Sequence, residues 1–148
     1  MPIGGLDHIA ITVSDTQSSL DFYCGLLGLR KVEQHQLAGE KVDRANGIQG
    51  GPAQSTRLAV PDTPDILIDL LEYFELPKES AVAQMGKVGA SHFCLSVADL
   101  NAFYEELREK GVEFISEPIT FELETGSVDV VFLRDPDGNF VELVEAHR

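Results

Sequence analysis

Apolar and polar positions alternate along LDHIAITVSD, with His8, Ala10 and Thr12 set against Ile9, Ile11 and Val13, which predicts a half-buried strand rich in β-branched residues. Asp15 ends this strand and stands where a helix N-cap is wanted. Leu20, Phe22, Tyr23, Leu26 and Leu27 then recur at helical spacing until Gly28 stops the helix. Further strands are predicted over LRKVEQHQ, STRLAVP and ILIDLLEYFEL, with a loop-like stretch, NGIQGGPAQ, after the first of them. The first half therefore reads β-α-β-β-β.

After a polar stretch, PKESAVAQMGKVGA, the chain begins again. HFCLSVAD repeats HIAITVSD, His for His and Asp for Asp, and Asp99 takes the capping place of Asp15. Leu100, Phe103, Tyr104 and Leu107 mark the apolar face of a second helix that closes at Lys110 and Gly111. VEFISEPITF, SVDVVFLRD and NFVELVEAH supply three more strands, the last two joined by the tight turn DPDGN. The second half is also β-α-β-β-β, so an internal duplication spans the chain. The expected fold class is α+β: one structural domain built from a module over 1–77, a linker over 78–90 and a module over 91–148. A lone module of this size buries too little apolar area to be secure, so two must pair, within one chain or between chains.

The composition sets bounds on function. The 148 residues are 43% hydrophobic and 24% charged, ordinary for a globular protein, and no apolar run approaches the roughly 20 residues of a membrane span. Twenty-five acidic against eleven basic residues give a formal charge of -14, which opposes nucleic acid and anionic membranes as partners. Two cysteines, Cys24 and Cys94, imply no disulfide framework, and the N-terminus lacks a secretory signal pattern, so a cytoplasmic location is expected.

His8 and His92 open the first strand of each half, 84 residues apart, and a carboxylate stands in the last strand of each, Glu72 in DLLEYF and Glu142 in NFVELVE. A carboxylate in a strand that otherwise reads as core is costly to bury unless paired or bound to a metal. Two imidazoles and two carboxylates hold a divalent ion at near-zero net charge, and this mixed N/O set suits Ni, Co, Zn, Fe or Mn better than Ca or Mg. His8, Glu72, His92 and Glu142 are the expected metal ligands. Asp69, an odd number of positions from Glu72, is expected on the other face of its strand.

The paired modules, with DHIAITVSD, SHFCLSVAD and DPDGNFVELVE, resemble the vicinal oxygen chelate superfamily over roughly residues 5–146. That superfamily includes glyoxalase I, methylmalonyl-CoA epimerase, extradiol dioxygenases and the fosfomycin and bleomycin resistance proteins. The resemblance implies curved mixed sheets around a central cleft, a homodimer, and His8, Glu72, His92 and Glu142 at the four ligand positions. The His-Glu-His-Glu set is most similar to bacterial glyoxalase I, with the epimerase next. Bacterial glyoxalase I commonly continues from the second ligand into an Asn-Trp pair, where this chain reads EYFELP and holds no Trp.

The expected activity is proton transfer next to a carbonyl, as in a glyoxalase-type lyase or an acyl-CoA epimerase, on a small-molecule substrate. Glu142 is the expected base, with Glu72 serving the opposite side. Two other readings stay open: an Fe(II) ring-cleavage dioxygenase using both histidines and one Glu, and a binding or resistance protein without turnover. Asp15 and Asp99 read as helix caps, Cys24 and Cys94 as packing, and the glycine-rich loop as lacking the Lys and Ser/Thr of a phosphate loop. Arg57, Arg44, Lys41 and Lys87 are candidate handles for an anionic substrate group, and Phe74, Phe121 and Phe132 candidate pocket walls.

Overall fold

A computed structural model describes residues 2–80 and 84–147. The chain divides into two compact units, Met1–Glu79 and Ser80–Arg148. Of the predicted linker, residues 81–83 lie outside the described residues.

Unit one runs β1 (His8–Thr12), α1 (Thr16–Leu20), β2 (Arg30–Leu37), α2 (Glu40–Asn46), β3 (Ala53–Val60) and β4 (Thr63–Tyr73). Its four strands form one mixed sheet in the order β1-β4-β3-β2, with β1 parallel to β4 and the other pairs antiparallel. Unit two runs β5 (His92–Ser96), α3 (Leu100–Glu109), β6 (Ile119–Leu123), β7 (Gly126–Arg134) and β8 (Phe140–His147). Its sheet has the same plan, β5-β8-β7-β6, with β5 parallel to β8. These two mixed sheets with few helices are an α+β architecture, as the repeated pattern predicts.

Each helix is started by the residue the sequence assigns to the task. The Asp15 carboxylate accepts from Ser18 N at 2.7 Å and that of Asp99 from Ala102 N at 2.9 Å, satisfying amides that the first turn leaves without partners. Gly28 and Gly111, both in the left-handed region, end the two helical segments. One face of each sheet packs on its helix. In unit one that face carries Leu58, Ile68 and Leu70, buried with Phe22 and Tyr23, and in unit two Val131, Leu133, Val141 and Leu143, buried with Leu100 and Leu107.

Three local readings change. The first helix is α-helical only over Thr16–Leu20 and continues as a π-helical turn over Asp21–Leu26, closed by Leu27 N to Phe22 O. This wider turn lets the adjacent aromatics Phe22 and Tyr23 both enter the core, in edge-to-face contact at 5.0 Å. The stretch before the glycine-rich loop holds a helix, α2, with no buried residue and hence no apolar stripe to announce it. Its Asp43 carboxylate accepts from Gly50 N and Gly51 N and so folds the loop back. In VEFISEPITF only the part after Pro118 joins a strand, while Phe114 makes an isolated bridge to Leu133. Among the described residues no helix is long and apolar enough to cross a membrane.

Candidate functional site

Strand pairing decides which side chains share a face. In unit two His92 lies opposite Phe140 and Cys94 opposite Glu142, so His92 and Glu142 project to the same side, away from α3. Their side chains meet: His92 Nε2 is 3.1 Å from Glu142 Oε2, both partly exposed. The Phe132 ring stands edge-on to His92 with centroids 5.0 Å apart, and Phe132 is also the cross-strand partner of Glu142. Burial and the neighbouring Glu142 carboxylate push the Cys94 thiol up to about 12, so it stays protonated beside that carboxylate.

In unit one His8 lies opposite Leu67 and Ala10 opposite Asp69. Asp69 therefore shares the face of His8, and Glu72, an odd number of positions from both Leu67 and Asp69, takes the helix face. The register thus sets Glu72, expected from the sequence as a ligand and base, on the face opposite His8. Its carboxylate caps α1, with Oε2 accepting from Thr16 N at 2.8 Å and Thr16 Oγ1 at 2.7 Å, while Lys78 Nζ lies 3.5 Å from Oε1. Burial alone would raise the Glu72 carboxyl, but the Thr16 hydrogen bonds and the Lys78 charge outweigh it and hold the group below the usual range.

The counterpart of Glu72 is Glu145, which receives Leu100 N at 2.8 Å at the start of α3. The offset is the same for both pairs: 142 − 69 and 145 − 72 each give 73. The signal was present in the sequence as DLLE against ELVE, and matching Glu for Glu shifts the alignment by three residues.

Asp69 itself is buried, with Ser55 Oγ donating to Oδ1 at 2.6 Å and Arg57 Nε 3.7 Å from Oδ2. His8 Nδ1 is 2.6 Å from the exposed Asp7 carboxylate, which this hydrogen bond holds below its usual range. Of the other candidates, Arg57 faces Asp69, Lys41 and Arg44 lie on α2, and Lys87 lies in a short turn. Phe121 and Phe74 are exposed. Lys78, placed in the linker by sequence pattern, reaches Glu72 instead.

A family model described as the Glyoxalase/Bleomycin resistance protein/Dioxygenase superfamily matches residues 5–143. The chain belongs to that superfamily. This superfamily member is 28% identical to a lactoylglutathione lyase of Pseudomonas aeruginosa over 148 aligned positions, covering 95% of this chain and 81% of the relative. It is 28% identical over 144 positions to a Salmonella typhimurium virulence protein, covering 97% and 85%. Among solved structures, a glyoxalase family protein from Bacillus cereus superposes with a TM-score of 0.87 at 19% identity, covering 100% of this chain and 97% of that one, a likeness of fold.

Proposed function

We propose that this protein is a metal-dependent enzyme of lyase or isomerase type that moves a proton at a carbon next to a carbonyl. The observation that carries the reading is the His92–Glu142 pair at 3.1 Å, on a sheet face whose counterpart in unit one carries His8 and Asp69. In this reading His92 with Glu142 in unit two, and His8 with Asp69 in unit one, are ligand pairs for a divalent ion such as Ni, Co, Zn, Fe or Mn, with Asp69 taking the part first expected of Glu72. The relatives named as lactoylglutathione lyases support this class of chemistry.

A divalent ion bound there supplies Lewis-acid stabilisation of negative charge growing on a substrate oxygen. The proton chemistry falls to Glu142. Its place in the interior of β8 fixes the carboxylate's direction, and partial burial strengthens its charge interactions. It accepts the proton from the carbon beside the carbonyl and gives it back to a substrate carbon, while His92 beside it holds its orientation. Thr16 and Glu72 act from behind the sheet, fixing the helix on the strands that bear the site.

Elemental analysis of protein purified without chelators, beside a His92→Ala variant, tests the metal. The expected result is about one transition-metal ion per chain in the parent and loss in the variant. With the adduct of methylglyoxal and a thiol, or a racemising acyl-CoA, Glu142→Gln should lower turnover by about 10²–10⁴-fold while retaining the fold. Turnover near that of the parent would overturn Glu142 as the base.

A further inference from the structure

We propose that Arg57 is the internal counter-ion of Asp69 and competes with a bound divalent cation for that carboxylate. In this reading unit one's carboxylate is an exchangeable ligand. This rests on the assignment of Asp69 to the ligand set made above.

Asp69 is 4% exposed, so its charge requires compensation inside the sheet. Ser55 supplies a hydrogen bond to one oxygen, at 2.6 Å. Arg57, the cross-strand neighbour of Asp69, supplies the charge, but Nε stands 3.7 Å from the other oxygen, within ion-pair reach and beyond a hydrogen bond. Nε is shielded from water and has no hydrogen-bond partner among the described residues. Arg57 therefore neutralises Asp69 without saturating it.

Other acids flank the guanidinium, although the Glu33 carboxylate is itself 2.5 Å from His35 Nε2. Glu33 on β2 is the partner of Arg57 across the other edge of β3, and the charge of Arg57 reaches Asp7 beside His8. A dication taking the Asp69 carboxylate is repelled by a guanidinium this close and must displace it from the shared oxygen. At the same rung of unit two, Phe132 stands opposite Glu142 in place of Arg57 opposite Asp69, and Val130 replaces Ser55. Glu142 faces no such competitor across that rung.

The test titrates Co²⁺ into metal-free protein by calorimetry and follows its thermal unfolding with and without Co²⁺. Variants are Arg57→Met, Arg57→Gln, Arg57→Lys, Asp69→Asn and Arg57→Met combined with Asp69→Asn. The proposal expects Arg57→Met and Arg57→Gln to unfold at lower temperature without metal, yet to bind Co²⁺ about 10-fold more tightly and gain more on loading. Arg57→Lys should behave like the parent, and the Arg57 effect on Kd should vanish once Asp69 is Asn. Unchanged or weaker Co²⁺ binding by both Arg57→Met and Arg57→Gln, with Asp69→Asn still weakening it, would overturn the competition and leave Asp69 a ligand. An Asp69→Asn protein that binds Co²⁺ as the parent does would overturn the ligand assignment itself.

Discussion

The two units use one plan with different surroundings. In each, a histidine opens the parallel edge strand and a carboxylate stands on the same face two positions beyond its register partner: His8 with Asp69, His92 with Glu142. Three residues further on, a glutamate on the opposite face caps the helix: Glu72 on α1, Glu145 on α3. The difference lies in the next strand, where unit one sets Arg57 and Ser55 around its carboxylate and unit two sets Phe132 and Val130. Duplication conserved the positions of the acids, while the charge balance around them diverged.

The largest effect should come from importing unit one's environment into unit two. Phe132→Arg places a cation opposite Glu142, and metal affinity should fall by about 10- to 100-fold, while Phe132→Leu, which removes only the ring beside His92, should change it little. Calorimetric titration of the two variants checks this.

Next comes the capping pair. Glu72→Gln replaces a charge-assisted acceptor of two Thr16 bonds by a neutral one and should cost about 1 kcal/mol, read from chemical denaturation. Glu145→Gln loses charge at a single amide and should cost less. Because the folded Glu72 carboxyl lies below its unfolded value, its contribution is present above the unfolded value and is lost as pH falls through the folded one. The stability gap between the parent and Glu72→Gln should therefore close on acidification.

The smallest effect separates the far ends of the last strands. His147 Nε2 lies 2.9 Å from Asp129 Oδ2; this raises the His147 value and, with the Thr120 hydroxyl, lowers that of Asp129. The His147 contribution is complete below its unfolded value and fades as pH rises through the raised folded one. The Asp129 contribution fades as pH falls through the lowered one. His147→Gln should flatten the alkaline limb of the stability profile, with no matching change on replacing Phe74, which stands 73 positions earlier in unit one.

Much of the architecture is legible in the residues because the signals are local. Asp15 and Asp99 cap as their positions require, and the period-two pattern from His8 and from His92 marks the edge strands. The helix α2 is hidden because a short polar helix has no apolar stripe, and the break at Pro118 shortens a strand that apolar pattern alone would prolong. The candidate site is legible in type but not in register. Glu72 and Glu142 look equivalent because both are glutamates among apolar neighbours. Strand parity, fixed by pairing with β1 and β5, instead makes Asp69 the equivalent of Glu142. A three-residue shift reverses the face, so the sequence reading places the acid on the helix side of the sheet.

The most direct test of this account measures bound metal per chain in Asp69→Asn and Glu72→Gln, purified side by side and confirmed as folded. The account predicts that Asp69→Asn loses metal while Glu72→Gln keeps the parent's content and loses only stability. Metal retained by Asp69→Asn and lost by Glu72→Gln would contradict it and return the ligand role to the residue that caps α1.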